Sequence, residues 1–266
     1  MTARIFEFQG IDNFRDYGGY RTKGAAAIAR GRLLRSAHHA RASDSDLEKL
    51  AGLDISTIVD LRRANERREQ PSRRWAGCVA EVIASDHGAE GDAPHIAFLK
   101  SEVLTPTSGR AFMTGTYRRM PFGPAHVELF ARYFRALAEA PGAVVIHCAA
   151  GKDRTGLLAA LTHHLLGAHR DDLMEDYLLT NTAVNLDERA PGIARQIAAM
   201  TGRTPDHDAV VAFLGVEPDY LHAAFEEIAA RSGSVDDYLE GVLGVDQALR
   251  ARIEARLMAP EPAPKA

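Results

Sequence analysis

The chain has 266 residues, of which 46% are hydrophobic and 26% are charged, the balance of an ordinary globular protein. The formal net charge of −4 argues against a general nucleic-acid binder, and two cysteines are too few for a secreted disulfide scaffold. The sequence has no apolar run after basic residues at its start and no stretch near the about 18 apolar residues of a membrane span. We therefore expect a cytoplasmic protein without an integral membrane segment, and non-classical secretion is also compatible with these features.

Three short apolar segments are predicted strands: Ile55–Leu61, Val79–Ala84 and Ala143–His147. Ser85–Arg110 is rich in Gly, Ser, Thr, Pro and Asp and is predicted to be a long loop. The predicted helices are Arg62–Gln70, Ala111–Met120, His126–Ala140, Leu157–Leu166, Asp172–Asn181 and Pro191–Met200, and further helices are predicted to start at Glu217-Pro218, Ser234 and Asp246.

Strands that alternate with helices, followed by a run of helices, predict an α/β core with an α-helical C-terminal part. The chain has no internal repeat or long linker, so we expect a single domain over residues 1–258. Residues 259–266 belong to a Pro- and Ala-rich end and are predicted to form a disordered tail.

The last predicted strand leads straight into the segment HCAAGKDRTG, residues 147–156, and a nearly all-apolar helix follows. A loop at a helix N-terminus directs several backbone N–H groups toward one point, where they and the helix dipole favour a phosphate. The same field favours the thiolate, which is the nucleophilic form of cysteine. We therefore predict that Cys148 attacks phosphorus.

Arg154, five residues beyond the cysteine, supplies a planar two-donor fork that matches two phosphate oxygens. Gly151 permits a tight or left-handed turn, and the Thr155 hydroxyl can donate to the cysteine sulfur. We expect His147 to order the loop by hydrogen bonding. The predicted phosphate-binding residues are Ala149, Ala150, Gly151, Lys152, Asp153, Arg154 and Thr155.

This loop resembles the active-site loop of protein tyrosine phosphatases. Its Lys152-Asp153 pair resembles the PtpB-like bacterial subgroup, whose members hydrolyse phosphotyrosine and often phosphoserine, phosphothreonine or phosphoinositides. Segments elsewhere also match that subgroup: Asn13-Phe14-Arg15-Asp16 with Gly18-Gly19, Gly31-Arg32-Leu33-Leu34-Arg35-Ser36, Asp60-Leu61-Arg62 and Asp176-Tyr177-Leu178.

The resemblance covers most of the chain. It implies a phosphatase-type α/β fold with a central, mostly parallel sheet flanked by helices, and a helical lid over the site. It also implies that Arg15 and Arg35 support the loop. Neither a cofactor nor a metal is expected, and the oligomeric state is not predicted.

The residue that protonates the leaving oxygen is not fixed by the sequence. Most tyrosine phosphatases carry this acid on an Asp some way before the cysteine, but here no Asp occurs between Asp92 and Asp153. Asp153 and Asp60 are the main candidates, and Glu102, Asp86 or water are the others. Asp153 has an alternative structural role, in which it orients Arg15 or Arg35 through ion pairs.

Two further features have both a functional and a plain interpretation. Lys152 either contacts a second phosphate or a substrate carboxylate, or is a solvated loop charge. The cluster Arg62, Arg63, Arg67, Arg68, Arg73 and Arg74 either steers anionic substrates or is the solvated face of a helix.

We predict a phosphomonoester hydrolase that acts through a phosphocysteine intermediate on a phosphorylated protein. The alternatives are a phosphoinositide phosphatase, a non-catalytic phosphate-binding module and a rhodanese-like sulfur carrier.

Overall fold

A five-stranded sheet organises the fold of the computed structural model, which describes residues 4–24, 26–87 and 93–259. The strands are β1 (Arg15–Asp16), β2 (Ala27–Ile28), β3 (Leu33–Ser36), β4 (Ile55–Asp60), β5 (Glu81–Ala84), β6 (Ala143–His147) and β7 (Met258–Ala259). The sheet order is β1-β3-β6-β4-β5, and β1 alone runs antiparallel to its neighbour. β2 and β7 form a separate antiparallel pair.

Helices account for most of the remaining described residues. They are α1 (Asp44–Ala51), α2 (Ala64–Glu69), α3 (Pro94–Ser101), α4 (Pro106–Arg119), α5 (Pro124–Glu139), α6 (Asp153–Leu165), α7 (Arg170–Ala183), α8 (Leu186–Thr201), α9 (His207–Leu214), α10 (Pro218–Ser232), α11 (Val235–Gly241) and α12 (Gln247–Leu257), with a 3₁₀ turn at Met120–Phe122. The predicted α/β fold with a mostly parallel sheet flanked by helices and a helix-rich C-terminal part is confirmed.

The sheet separates two hydrophobic clusters, because successive side chains of a strand point to opposite faces. Val144 and Ile146 of β6 pack into the larger cluster, together with α5, α6 and the C-terminal helices. Ala143 and Val145 pack into the smaller cluster, with Leu50 of α1 and the N-terminal segment. β6 is thus buried on both faces, which explains its uninterrupted apolar sequence.

The three predicted strands are present, and the predicted N-caps are confirmed: Ser234 accepts from the backbone N of Asp237 at 3.0 Å, and Asp246 from that of Leu249 at 2.7 Å. The long loop predicted over Ser85–Arg110 is wrong in part. It contains α3 and the start of α4, each with proline in the first turn, where its missing N–H costs nothing. Residues 88–92 of that loop lie outside the described residues.

Helix α9 was not predicted, although Asp206 caps it by accepting from the backbone N of Ala209 at 2.7 Å. Ala259, the first residue of the predicted tail, is paired with Ala27, and residues 260–266 lie outside the described residues. The single domain over residues 1–258 stays a prediction. No helix within the described ranges is long and apolar enough to cross a membrane.

Candidate active site

The candidate site lies where three parallel strands end side by side. Ser36 of β3, His147 of β6 and Asp60 of β4 are in register at this edge of the sheet. Cys148 follows His147 directly and is 3% exposed. α6 begins at Asp153, and the residue before it, Lys152, makes no side-chain capping hydrogen bond, so the first N–H groups of the helix are suited to an anion.

The loop after β6 is shaped by a close backbone contact. Gly151 has φ of +64°, and a Cβ atom at this position would lie 2.4 Å from the carbonyl oxygen of Ser36. Glycine is the residue that meets both demands. The predicted left-handed turn at Gly151 is therefore present.

Side chains from the N-terminal part of the chain hold the loop carbonyls. Asn13 Nδ2 donates to the carbonyl oxygens of Gly151 at 2.8 Å and Ala150 at 3.3 Å, and Arg35 Nη2 donates to that of Gly151 at 3.0 Å. In a trans peptide the next N–H points opposite to the carbonyl. The N–H groups of Gly151 and Lys152 therefore face away from Asn13 and Arg35.

Behind the loop, one aspartate pairs with two buried arginines. Asp176 Oδ1 accepts from Arg15 Nε at 2.9 Å, and Asp176 Oδ2 accepts from Arg35 Nη1 at 2.6 Å. Burial opposes ionisation, but the two arginine charges hold the pKa of Asp176 below its usual range. Burial and the charge of Arg35 lower the pKa of Arg15 to about 10, so Arg15 stays protonated at neutral pH. The predicted contact of Arg35 with the loop is present, and Asp176 orients both arginines.

At the mouth of the loop, Arg154 forms a two-pronged ion pair with Glu66. Its Nη1 lies 2.6 Å from Oε2 and its Nη2 lies 2.9 Å from Oε1, while Nη1 also donates to the carbonyl of Leu61 at 3.1 Å. Burial alone would raise the pKa of Glu66, but the hydrogen bonds and charge of Arg154 lower it to about 2. Glu66 therefore fixes the plane of the arginine fork.

Glu66 was not predicted as a site residue from the sequence. It lies three residues after Arg63, and its Oε2 accepts from the backbone N of Arg63 at 2.8 Å. An acid at the third position of a helix is a capping signal. The signal was not used, because the surrounding arginines were interpreted only as a basic cluster.

Asp60 is fully engaged beneath the loop. It is 2% exposed, and Arg62 reaches both its oxygens, Nε to Oδ1 at 2.9 Å and Nη2 to Oδ2 at 2.7 Å. Burial favours the neutral acid, but the hydrogen bonds and charge of Arg62 hold the pKa of Asp60 below its usual range. Asp60 is thus ionised at neutral pH.

Asp153 is more accessible. Its side chain is 28% exposed, and its Oδ1 accepts from the Tyr117 hydroxyl at 3.0 Å and lies 3.4 Å from Lys152 Nζ. Within the described residues, neither Arg15 nor Arg35 forms an ion pair with Asp153. The alternative role considered for Asp153, orienting these two arginines, therefore belongs to Asp176. Of the other candidate acids, Asp86 pairs with Arg67 and its side chain is 89% exposed, and Glu102 lies at the end of α3.

Lys152 is not a solvated loop charge. The residue is 7% exposed, and its Nζ donates to the carbonyl oxygen of Phe213 in α9 at 3.2 Å. Arg62, counted in the basic cluster, is likewise buried against Asp60. The helical lid implied by the resemblance stays a prediction.

Two predicted loop interactions differ in the structure. The Thr155 hydroxyl is buried and has no hydrogen-bond partner within the described residues, so its expected bond to the Cys148 sulfur is not formed here. His147 stacks on His39 with ring centroids 4.9 Å apart, and its Nδ1 lies 3.7 Å from Asp60 Oδ1. Burial lowers the pKa of His147 to about 4, so the ring is neutral and supports the loop by packing.

His126 also lies near the arginine fork, and the sequence carried no signal for it. Burial, followed by the charge of Arg154, lowers the pKa of His126 to about 4. Its Nδ1 lies 3.0 Å from the carbonyl oxygen of Met120. The His126 ring is therefore a polar but uncharged neighbour of Arg154 at neutral pH.

A buried cysteine in a loop at a helix N-terminus, with an arginine fork held at its mouth, defines a cysteine-based phosphatase. The sequence model of the tyrosine phosphatase family matches residues 6–259. A provisionally named tyrosine-protein phosphatase of Cupriavidus necator is 33% identical over 244 residues, 91% of this chain and 85% of that protein. The triple specificity protein phosphatase PtpB of Mycobacterium tuberculosis is 31% identical over an aligned length of 286 residues. The alignment covers 96% of this chain and 99% of that protein.

The chain belongs to the tyrosine phosphatase family. This membership confirms the family resemblance that was stated from the loop. It also confirms the predicted enzyme class, a cysteine-based tyrosine phosphatase that acts on phosphorylated substrates.

Proposed function

We propose that the protein hydrolyses phosphotyrosine and also phosphoserine or phosphothreonine in proteins, with Cys148 as the nucleophile. The observation that carries this proposal is the arrangement of the loop. Asn13 and Arg35 hold its carbonyls on one side, while Cys148 and the fork of Arg154 stand at the start of α6. The similarity to a triple specificity phosphatase over nearly the whole chain supports the broad range of substrates.

In the first step, the Cys148 sulfur bonds to phosphorus as the bond to the leaving oxygen breaks. The loop N–H groups and Arg154 hold the three other phosphoryl oxygens. Their attraction increases as negative charge moves onto those oxygens in the transition state. In the second step, water attacks the phosphocysteine and releases inorganic phosphate and the thiolate.

Asp153 is the proton donor in this proposal. It is partly exposed at the mouth of the loop, whereas Asp60 is buried, ionised and bonded on both oxygens to Arg62. An acid held permanently as a carboxylate has no proton to give. Asp153 then returns as the base that accepts a proton from the attacking water.

The second candidate function is phosphoinositide hydrolysis, and Lys152 favours it. Among the described residues its ammonium lies 3.4 Å from Asp153 and donates to one carbonyl oxygen of α9, so it can transfer to a second phosphate of a substrate. We also propose a cytoplasmic location, because a reducing compartment keeps the thiol of Cys148 free.

A substrate panel tests these proposals. Phosphotyrosine, phosphoserine and phosphothreonine peptides and soluble inositol phosphates are compared for the wild-type protein and for Cys148→Ser. We expect turnover of the tyrosine peptide at the highest rate and loss of all turnover in Cys148→Ser, with Cys78→Ser active as the matched control. Activity retained in Cys148→Ser overturns the mechanism, and thiosulfate turnover without phosphatase activity indicates a sulfur carrier.

The assignment of the acid is tested with leaving groups. Asp153→Asn is expected to lose about 100-fold or more in kcat/KM on phenyl phosphate, and far less in kcat/KM on 4-nitrophenyl phosphate, whose leaving group needs little protonation; kcat/KM is compared because it reports the first step without the later attack of water. Asp60→Asn is expected to lower both rates together. The reverse pattern assigns the acid to Asp60.

A further inference from the structure

Two buried tyrosines form a line of hydroxyl groups that ends on Asp153. The Tyr177 hydroxyl donates to the Tyr117 hydroxyl at 2.8 Å, and the Tyr117 hydroxyl donates to Asp153 Oδ1 at 3.0 Å. Tyr117 lies on α4 and Tyr177 on α7, and they are 0% and 1% exposed. The line therefore connects two helices of the core to the mouth of the phosphate loop.

Packing fixes the position of the Tyr117 hydroxyl. Its ring centroid lies 6.2 Å from that of Tyr177 and 5.8 Å from that of Tyr220. Gly156 leaves room for this arrangement, because a Cβ atom there would lie 3.1 Å from Tyr177 Cδ2. Burial, and then the charge of Asp153, raise the pKa of Tyr117 well above its usual value. Tyr117 thus remains a phenol that must donate its proton to an acceptor.

This donation makes the two oxygens of Asp153 unequal. Oδ1 already accepts from Tyr117 and lies 3.4 Å from the Lys152 ammonium. No hydrogen bond from the described residues reaches Oδ2. Oδ1 is therefore the oxygen that the Tyr117 hydroxyl occupies, and Oδ2 is left to carry the proton that the proposed function assigns to Asp153.

We propose that Tyr117, backed by Tyr177, is a positioning residue that holds Asp153 with its proton on Oδ2 for transfer to the leaving oxygen. The inference rests on the proposed function, in which Asp153 is the proton donor. As the sulfur–phosphorus bond forms and the phosphorus–oxygen bond breaks, the Oδ2 proton passes to the leaving oxygen. The carboxylate that remains keeps its bonds to Tyr117 and Lys152.

The dependence on Tyr117 should follow the leaving group. A leaving oxygen of high basicity, such as the alkoxide of phosphoserine, requires a well-placed proton, whereas 4-nitrophenolate leaves almost without one. Displacement of a reacting group by about 1 Å can cost on the order of 100-fold in rate. A purely structural loss would instead lower the rates on all substrates together.

The experiment measures kcat and KM of Tyr117→Phe on 4-nitrophenyl phosphate and on phenyl phosphate. We expect kcat/KM to fall about 10-fold or more on phenyl phosphate and less than about twofold on 4-nitrophenyl phosphate, because this ratio reports the step in which the leaving group departs. Tyr133→Phe is the matched control, since that buried hydroxyl bonds to Tyr17 at 2.7 Å and to Thr162 at 2.8 Å, away from the loop. It should show no dependence on the leaving group.

The double variant Tyr117→Phe/Asp153→Asn separates positioning from an independent effect. If Tyr117 acts through Asp153, the double variant is no slower than Asp153→Asn alone. Additive losses, or equal losses of Tyr117→Phe on both substrates, overturn the inference. A selective loss in Asp153→Asn without one in Tyr117→Phe overturns it while leaving the proposed function intact.

Circular dichroism confirms that each variant is folded. If Tyr117→Phe does not fold, Tyr177→Phe decides the question, because it keeps the Tyr117 hydroxyl and removes only the donor behind it. A loss of rate in Tyr177→Phe that is smaller than the loss expected for Tyr117→Phe, and is again larger on phenyl phosphate than on 4-nitrophenyl phosphate, supports the inference. An equal loss on both substrates, or no loss, overturns it.

Discussion

The two sides of the phosphate loop differ in burial. Behind the loop, the side chains of Arg15, Arg35 and Asp176 are 0%, 0% and 2% exposed. At its mouth, the side chains of Arg154 and Glu66 are both 18% exposed. The rear cluster holds the loop backbone through the bond of Arg35 to the carbonyl oxygen of Gly151, and it is closed to solvent. The front pair is open to a substrate phosphate, so the two sides should respond differently to substitution.

The largest expected effect is on stability, from Asp176→Asn. This change removes the negative charge between two fully buried arginines, and breaking such a pair typically costs about 3–5 kcal/mol. The free energy of unfolding, measured in denaturant, should fall by about that amount. Asp171→Asn, at the exposed start of the same helix, is the control and should fall by less than about 0.5 kcal/mol. Equal stability of the two variants would show that the rear cluster is not structural.

The next effect is on activity, from Arg154→Lys. The charge remains, but the planar fork that Glu66 orients is lost, and loss of one such transition-state donor costs about 100-fold or more in kcat. Stability should change little. The measurement is kcat on 4-nitrophenyl phosphate beside a thermal melt, with the exposed Arg68→Lys as control. A large loss of stability with activity retained would reverse the distinction between front and rear.

The smallest effect concerns acid stability. The pKa of Glu66 falls from an ordinary 4.5 to about 2 in the folded protein, so the unfolded chain binds the proton more readily. Its stabilising contribution is complete above the ordinary value and is lost as pH decreases toward 2. The free energy of unfolding of Glu66→Gln should therefore vary less over this window than that of the wild type. Glu69→Gln, exposed on the same helix, should keep the wild-type slope.

Local parts of the site could be predicted from the sequence, and distant contacts could not. Cys148, Gly151 and Arg154 lie within one short segment, so their spacing alone describes the loop. The group that orients Arg154 is 88 residues away, and the tyrosine that bonds to Asp153 is 36 residues away. Nothing in the single sequence marks such pairs, since they depend on how α2 and α4 pack.

The errors in the fold have a different cause, because they concern local signals that were present in the sequence. The loop over Ser85–Arg110 was predicted from its average composition, and Pro94 was not considered as the first residue of a helix. Asp206, the cap of α9, was also present in the sequence and was not recognised. The strands were predictable because burial on both faces requires a continuous apolar run, as in β6.

The pairing of Arg15 with Asp176 spans 161 residues, and this separation bears on when the enzyme matures during synthesis. A nascent chain that has just extended beyond Cys148 lacks α7, and thus lacks the carboxylate that neutralises Arg15 and Arg35. The contact of Arg35 with the Gly151 carbonyl lacks its orienting carboxylate until Asp176 has left the ribosome. The support behind the loop is therefore complete only when most of the polypeptide has been made.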